Sequence, residues 1–559
     1  MIPNAAASVF FVLVLAKLLV IGAASPWLFW QDAAIAAAFG VLELAAKGKR
    51  WIWIPYAVLV AWIAVNVPVA RVLGSWLTPP MLRAAAGPLA DSIRYYLTPG
   101  NLLPLAAVVC FGVVLPFAMK RRRMAAGLVA LIAIVVGAAT TKAKDSTGFE
   151  RNALTVLLPA SGVAGGVAGN PRHRMNPLTR TNPLTRTNLG ALRGSARGMN
   201  IVMVILESTA SQYLGLYGAD ADPMPNLTAL GRRSVVFDAA YAVYPESVKG
   251  LYATLCSRAP RAGAPLQESL QDSCTSLPAA LGRAGYRTGL FHSGRFAYLG
   301  MDALVKQSGF DVAEDAGAIG GVVRSSFGVD EASTVARMRA WIDDEHDTRP
   351  FFLVYMPAAG HHPYASAIPG PFPVNSEFDR YRNALHEADQ ALGTLLTSLI
   401  NPSLINPTMV LVFGDHGEAF GQHNGNAGHT LSIWEENVHV PMMLSIPGAT
   451  IGEHRVTDPA SVLDVAPTIL DLIGARAPDG IEGASLLAPA ARIAPFFADY
   501  SLDWFGLRDG CWKVQYERRS GRSSLFNLCE DPAETSDVAG RFQALHDELV
   551  KRVKQFFAI

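Results

Sequence analysis

The chain has 559 residues, more than one hydrophobic core usually supports, so we expect at least two folding units. Hydrophobic residues make up 51% of the chain, yet nearly all the long apolar runs lie before residue 141. The formal net charge is only +1, so no global basic field exists and we expect no nucleic-acid partner.

Five apolar runs in residues 1–143 predict a transmembrane domain of five helices. The runs are Ala5–Ala24, Leu28–Ala46, Trp51–Leu73, Leu102–Met119 and Met124–Thr140. Each run is close to the ~20 residues that a helix needs to cross a bilayer. Basic clusters at Lys47–Arg50 and Lys120–Arg123 separate the second from the third run and the fourth from the fifth. If both clusters are cytoplasmic, everything after Thr140 lies outside the cytoplasm.

Residues 144–199 are expected to form an interfacial segment and a linker. They contain a near-repeat, Asn-Pro-Leu-Thr-Arg-Thr, at 176–181 and again at 182–187. This repeat is polar, basic and interrupted by proline, so it cannot pack as a regular helix. Its arginines could touch anionic headgroups, and a merely solvated tether is an equal alternative.

The cysteines predict two disulfides. Cys110 lies in the fourth apolar run, whereas the other four cysteines lie in the part placed outside, where oxidation is permitted. Pairing Cys256 with Cys274 and Cys511 with Cys529 closes two short local loops. Thiolate metal binding is the weaker alternative, because no CxxC pair is present.

Four predicted strands of residues 200–489 end in polar side chains. The strands with the residues that follow are Ile201–Leu206 with Glu207, Arg287–Phe291 with His292, Phe351–Met356 with His361 and His362, and Met409–Phe413 with Asp415 and His416. A polar terminus is ordinary for one strand. The carboxyl ends of parallel strands share one sheet edge, however, so these four groups predict a common site. Carboxylates with imidazoles suit a divalent metal such as Zn or Mn.

A predicted helix from Ser247 to about Cys256 supplies a nucleophile. The preceding Pro245 and Glu246 read as a turn, which places Ser247 at the helix N-terminus. A serine there serves first as an N-cap, and that structural alternative stands beside the catalytic one. A helix N-terminus also favours an anion such as an alkoxide or an attached phosphate.

Several short phrases in residues 198–540 resemble the sulfatase branch of the alkaline phosphatase superfamily. They are Ile-Val-Met-Val-Ile-Leu-Glu-Ser-Thr (201–209), Pro-Asn-Leu (225–227), His-His-Pro-Tyr (361–364), Gly-Asp-His-Gly-Glu (414–418), Gly-His (428–429), Trp-Glu-Glu (434–436) with Val-Pro (440–441), Asp-Val-Ala-Pro-Thr (464–468), and Leu-Phe-Asn-Leu (525–528) with Asp-Pro-Ala-Glu (531–534). Each phrase is weak alone, and their number and order carry the resemblance. It implies an α/β domain with a mixed, mainly parallel sheet over residues 200–489, and a small antiparallel subdomain over residues 490–559.

The resemblance also implies site residues. Glu207, Ser247, Asp415 and His416 match the metal ligands, and Ser247 matches the nucleophile. His361 resembles a histidine that contacts the transferred group, and His429 resembles one that steadies the substrate or leaving oxygen.

Lys249 is a further catalytic candidate, because it could neutralise charge beside Ser247, although a surface lysine is an equal alternative. Glu418 and His423 are softer candidates, and Glu418 could simply orient its loop.

Sulfatases carry a Cys/Ser-x-Pro-x-Arg pattern at the nucleophile, and the sequence around Ser247 departs from it. The apolar runs and an unmodified hydroxyl instead resemble lipoteichoic acid synthases and lipid A phosphoethanolamine transferases, which use threonine where this chain has Ser247. That resemblance implies an enzyme of the bacterial inner membrane with a periplasmic or extracellular catalytic domain. It would move a phosphoethanolamine or phosphoglycerol headgroup from a membrane phospholipid, through a phosphoserine, to a surface glycan or lipid. A phosphodiesterase or sulfatase-like hydrolase, and a non-catalytic membrane partner, are the alternatives.

Overall fold

The structure is a computed structural model that describes residues 5–22, 26–73, 75–79, 81–82, 90–118, 151–157, 189–264, 266–272, 274–325, 327–344, 347–400, 404–450, 452–488 and 492–559. Its N-terminal helices are α1 (Ala5–Ile21), α2 (Trp30–Ala45), α3 (Trp53–Leu73), α4 (Ala90–Tyr95) and α5 (Pro99–Ala118). Helix α1 packs against α2, α3 and α5 around one apolar core. Lys17 of α1 is fully buried and forms a 2.7 Å ion pair with the equally buried Asp32 of α2.

The prediction of five spans is corrected to two candidates among the described residues. Within the described ranges, only Arg50–Leu73 and Pro99–Ala118, with 24 and 20 residues, are long and apolar enough to cross a bilayer. Helices α1 and α2 have 17 and 16 residues. At ~1.5 Å per residue they fall short of the ~30 Å hydrocarbon core, and α2 also carries Asp32 and Glu43. The fifth predicted run, Met124–Thr140, and the repeat at 176–187 lie outside the described residues.

The segment that follows α3 docks on the catalytic domain. Thr78 Oγ1 donates a 2.5 Å hydrogen bond to the Tyr500 carbonyl, and the Ser75 hydroxyl bonds the Ser501 hydroxyl. Met81 is buried in the apolar core of the catalytic domain. The next helix that the structure describes is the six-residue α4, which packs on the catalytic domain.

The catalytic domain begins with strand β1 and alternates strands with helices. Its strands are β1 (Asn200–Leu206), β2 (Val235–Phe237), β3 (Ala240–Tyr241), β4 (Arg287–His292), β5 (Val312–Glu314), β6 (Val323–Ser325), β7 (Gly328–Val329), β8 (Phe351–Met356), β9 (Thr408–Gly414), β10 (Ala419–Phe420), β11 (Ala427–Gly428), β12 (His439–Val440), β13 (Met442–Ser445), β14 (His454–Val456) and β15 (Ala460–Ser461). Its helices are α6 (Pro225–Gly231), α7 (Ser247–Cys256), α8 (Leu266–Ser269), α9 (Leu277–Arg283), α10 (Met301–Gln307), α11 (Ala316–Ile319), α12 (Glu331–Ile342), α13 (Glu377–Ser398), α14 (Glu435–Val438) and α15 (Val465–Leu472).

An eight-stranded sheet in the order β14-β2-β13-β9-β1-β8-β4-β5 forms the centre of this domain. The run from β9 to β5 is parallel, and β13 is antiparallel to both of its neighbours. Side chains of β1 alternate between two cores, with Ile201, Met203 and Ile205 on one face and Val202, Val204 and Leu206 on the other. Because both faces are covered, every residue of β1 is apolar or buried, as expected for a central parallel strand. The predicted mixed, mainly parallel sheet is confirmed.

The predicted C-terminal antiparallel sheet is also present. It consists of β16 (Ile493–Ala498), β17 (Trp504–Asp509), β18 (Trp512–Glu517) and β19 (Ser523–Asn527), with α16 (Gln543–Phe557) packed against it. Both predicted disulfides are confirmed, Cys256–Cys274 and Cys511–Cys529, and Cys110 is a free, exposed thiol.

Candidate metal centre and nucleophile

The candidate site lies where β1 and β9 end side by side. Leu206 pairs with Gly414 in the parallel ladder, so Glu207 and Asp415 leave the sheet at the same edge. Ser208 then adopts a left-handed backbone with φ of 53°, and its N–H donates to Asp415 Oδ1 at 3.0 Å. That turn folds the end of β1 toward the end of β9. The predicted convergence of these two strand ends is therefore observed.

Ser247 is the first residue of α7 and points at this edge. The N-cap position is occupied by Glu246, which makes no side-chain capping bond, so Ser247 is not the cap. Its Oγ donates to Glu207 Oε2 at 2.8 Å and lies 3.3 Å from His416 Nε2. The serine hydroxyl is therefore hydrogen-bonded to one predicted metal ligand and lies close to a second.

These four residues fit a divalent cation. Ligand atoms of Glu207, Asp415 and His416 all lie within 4.8 Å of one another, and all three residues are buried. Asp415 Oδ2 is buried without a hydrogen-bond partner among the described residues, 3.5 Å from His416 Nε2. The His416 ring directs Nδ1 to the Gly417 carbonyl at 2.9 Å, which leaves the Nε2 lone pair for a metal. An orphaned carboxylate oxygen beside a free imidazole nitrogen is the arrangement that a bound cation would satisfy.

The pKa shifts of Asp415 and Glu207 also favour a bound cation. Burial and the neighbouring Glu207 raise the pKa of Asp415 well above its usual range. Burial also opposes ionisation of Glu207, but His416, His361, His429 and the Ser247 hydrogen bond together lower its pKa to about 2. Two adjacent buried carboxylates repel each other when both are ionised, and a divalent cation removes that conflict.

His429 is brought to the site by the β10–β11 hairpin. Its ring stacks on His416 with centroids 4.2 Å apart, and its Nδ1 lies 2.7 Å from Glu418 Oε2. Glu418 Oε1 in turn accepts a 2.9 Å hydrogen bond from Tyr364. Burial raises the pKa of Glu418 to about 7, against the opposing charge of His416. Glu418 therefore contacts both His429 and Tyr364, which is more than the orientation of its own loop that the structural alternative proposed.

His361 lies across the site from His429, with ring centroids 6.2 Å apart. Its Nδ1 lies 2.7 Å from the His362 carbonyl. Since a carbonyl oxygen only accepts, Nδ1 carries the proton and donates it, which leaves the lone pair of Nε2 to act on a ligand. Phe327 packs against the ring at 3.8 Å between centroids.

Lys249 is also buried, so it is not a surface lysine. Its Nζ lies 3.4 Å from Asp499 Oδ1 and 4.0 Å from the centroid of the Tyr244 ring. Asp499 also accepts hydrogen bonds from the Tyr244 hydroxyl and the Gly263 N–H. Lys249 is thus held by the carboxylate of Asp499, which directly follows β16. A direct catalytic role for Lys249 stays a prediction.

His292 and His423 lie away from the ligand group. His292 directs Nδ1 to the Met356 carbonyl at 2.9 Å. His423 joins a second His/Glu/Glu group with Glu436 and Glu534. The oxygens of that group already accept hydrogen bonds from His423, Asn426, Lys513, Gln515 and the Glu435 N–H, so it is a saturated network that ties the C-terminal sheet to the site loops.

Three contributors to the site were missed by the sequence analysis. Ser208 was quoted only as part of a phrase, and its left-handed backbone cannot be read from its type. Asp499 lies 250 residues after Lys249 in the chain and carries no motif. Tyr364 could have been found, because it ends the His-His-Pro-Tyr phrase.

Comparison with known proteins identifies the domain. Residues 199–475 match the Sulfatase family. Arylsulfatase K of Danio rerio is 29% identical over 184 residues, which are 30% of this chain. The chain spans only about a third, 35%, of that relative's length.

Solved structures share the fold. A protein of the alkaline phosphatase superfamily from Vibrio parahaemolyticus aligns with a TM-score of 0.54 at 22% identity, covering 64% of this chain and 85% of that one. The lipoteichoic acid synthase LtaP from Listeria monocytogenes aligns with a TM-score of 0.55 at 17% identity, covering 68% and 95%. At these identities the likeness concerns the fold alone. Residues 199–475 of this chain therefore match the Sulfatase family, and the domain shares its fold with these two solved structures.

Proposed function

We propose that this chain is a membrane-anchored, metal-dependent transferase that moves a phospholipid headgroup, through a phosphoserine at Ser247, to a glycan or lipid outside the cytoplasm. The headgroup would be phosphoethanolamine or phosphoglycerol. The observation that carries the proposal is the Ser247 hydroxyl, an unmodified nucleophile bonded to Glu207 and 3.3 Å from His416 Nε2. Its surroundings lack the Pro and Arg of the sulfatase pattern, which favours phosphoryl over sulfuryl transfer.

The position of the site beside the N-terminal helices supports a lipid donor. Helix α3 lies beside β11, the strand that precedes His429. Helices α3 and α5 expose large apolar side chains, such as Ile54 at 69%, Leu103 at 68% and Phe117 at 68%. Exposed large apolar side chains on helices of this length favour contact with lipid. A phospholipid ester would then lie within reach of Ser247.

The residues of the site divide the reaction between them. Ser247 Oγ attacks phosphorus, its proton passes to solvent, and the bond from phosphorus to the diacylglycerol oxygen breaks. His429, held by Glu418, or His361, held by the His362 carbonyl, supplies the proton that this oxygen takes up. An acceptor hydroxyl then attacks the phosphorus of the phosphoserine and loses its proton to the histidine that gave one up. The bond from phosphorus to Ser247 Oγ breaks, and Oγ regains a proton from solvent. A divalent cation held by Glu207, Ser247, Asp415 and His416 would lower the pKa of the serine hydroxyl and offset phosphoryl charge.

Mass spectrometry of the Ser247 peptide tests the proposal. The full chain is incubated without acceptor, once with phosphatidylethanolamine and once with phosphatidylglycerol. We expect a phosphoethanolamine or phosphoglycerol adduct on Ser247 in one of the two reactions. Asp415→Asn should abolish the adduct about as fully as Ser247→Ala, because ligand and nucleophile act as a unit. No adduct with either lipid, together with steady hydrolysis of a soluble ester, would refute the transferase.

A hydrolase is the second candidate, and a specific observation favours it. Arylsulfatase K of Danio rerio, one of the relatives that this chain matches, is named as a sulfatase. In a hydrolase, water would take the place of the acceptor at the phosphoserine or sulfoserine stage. Release of inorganic sulfate from an aryl sulfate by the full chain would establish that alternative.

A further inference from the structure

Two tyrosines of the N-terminal part contact the catalytic loop 361–364. Tyr95 ends α4 and Tyr96 follows it, between the candidate spans α3 and α5. The Tyr96 ring stacks on the His362 ring with centroids 5.0 Å apart and planes 12° apart. The Tyr95 ring meets the same imidazole edge-on, at 5.0 Å and 78°. His362 is thus packed on two sides by residues that precede the catalytic domain.

The tyrosines are themselves held from the opposite side by the start of α13. The Tyr96 hydroxyl donates to Glu377 Oε1 at 3.4 Å. The Arg380 guanidinium bonds the Tyr95 hydroxyl and lies 5.5 Å from the centroid of its ring. The pair therefore forms a wedge between α13 and the loop, and it is not a loose surface contact.

The loop that this wedge packs against fixes the orientation of both proposed catalytic histidines, His361 and His429. The His362 carbonyl accepts the Nδ1–H of His361 and so fixes the tautomer and direction of that ring. The His362 ring also packs at 5.3 Å on Tyr364, whose hydroxyl donates to Glu418. Glu418 holds His429 through its other oxygen. A shift of His362 would therefore reach His361 through the backbone and His429 through Tyr364.

We propose that Tyr95 and Tyr96 are positioning residues for His361 and His429, so that the N-terminal part completes the active site and does not merely anchor it. The proposal holds for any ester that the site cleaves, and so does not rest on headgroup transfer. Small displacements of catalytic groups are costly in rate, with about 100-fold lost for about 1 Å. Phenylalanine removes the long Tyr96 and exposed Tyr95 hydroxyl contacts to α13 but keeps both rings on His362, so it should replace each tyrosine with little loss.

The test uses the full chain in detergent and compares Y95L/Y96L with Y95F/Y96F. Leu97→Ala is the matched control, because Leu97 follows the pair and is 57% exposed. Backbone hydrogen exchange is followed by mass spectrometry over a peptide that covers 358–366, where the His361 and Tyr364 N–H groups are hydrogen-bonded. This readout needs no turnover. Initial rates with bis(p-nitrophenyl) phosphate give kcat and KM separately.

We expect faster exchange in this peptide for the leucine pair, and wild-type exchange for the phenylalanine pair and the control. The kcat of the leucine pair should fall about 10- to 100-fold while KM stays near the wild-type value. Equal exchange in the leucine pair and wild type would overturn the proposal. A raised KM with unchanged kcat would also overturn it, since the tyrosines would then bind substrate and not position the histidines.

Discussion

Replacing Lys513 with methionine should destabilise the catalytic domain strongly. The ammonium group of Lys513 on β18 is fully buried. It lies 2.9 Å from Glu435 Oε1 and 2.8 Å from Glu534 Oε1, and Glu534 is also fully buried. Methionine keeps the approximate length of the side chain but leaves two buried carboxylates facing each other without a cation.

The magnitude follows from this geometry. Removing one partner of a buried ion pair costs about 3–5 kcal/mol, because a charge stays buried without compensation. For a domain of this size, about 2 °C of thermal midpoint corresponds to each kcal/mol, so the midpoint should fall by roughly 6–10 °C. Lys551→Met is the matched control: its ammonium is 66% exposed and lies 3.9 Å from Glu548, so the same change should cost under about 1 kcal/mol.

The assay is thermal unfolding of both variants in one detergent, followed by intrinsic fluorescence at pH 7.5. A double variant, K513M/E534Q, removes one of the two stranded carboxylates and should recover part of the loss. If K513M melts within about 2 °C of K551M, the saturated network does not stabilise the domain and the reasoning is refuted.

Two further predictions concern charged groups behind the site. Glu331 is buried and accepts hydrogen bonds from Ser293 and Tyr355, and burial raises its pKa to about 7. A carboxyl whose pKa is higher in the folded state contributes stability that is present below the unfolded value of 4.5 and lost as the pH rises toward 7, about 3 kcal/mol at most. Thermal midpoints measured from pH 4.5 to 8 should show this loss of stability in the wild type but much less of it in E331Q. The control E268Q changes an exposed carboxyl and should behave like the wild type. Parallel curves for E331Q and the wild type would contradict the prediction. Glu418→Gln should lower kcat for bis(p-nitrophenyl) phosphate about 10- to 100-fold, because it releases His429. Full activity of this variant would show that the Glu418–His429 contact is not needed.

The central site was largely predictable because its signals are local. Glu207, Asp415 and His416 each follow a buried apolar run, and neighbouring parallel strands must bring their carboxyl ends together. Ser247 could be placed at a helix start from the turn before it. The disulfides followed from cysteine number, chain proximity and the expected compartment.

The contacts that hold the site were not predictable in the same way. Asp499 reaches Lys249 across 250 residues, and Tyr95 reaches His362 across 267, with no periodicity to connect them. The spans were overcounted because a run of apolar residues does not reveal where a helix ends. Helix α2 stops at Ala45 after 16 residues, and its Asp32 is neutralised by Lys17 from another helix.

The docking of the N-terminal part at two places has a geometric consequence. Thr78 is hydrogen-bonded to the Tyr500 carbonyl, and the Tyr96 ring stacks on His362. The N-terminal part therefore contacts the rest of the chain at two separate places near the site. Two separate contacts restrict the movement of the domain relative to α3 more than one contact would. With α3 in a bilayer, as proposed, Ser247 would work at one fixed height above the membrane. The site would then select esters first by their distance from the lipid surface and only then by their chemical structure.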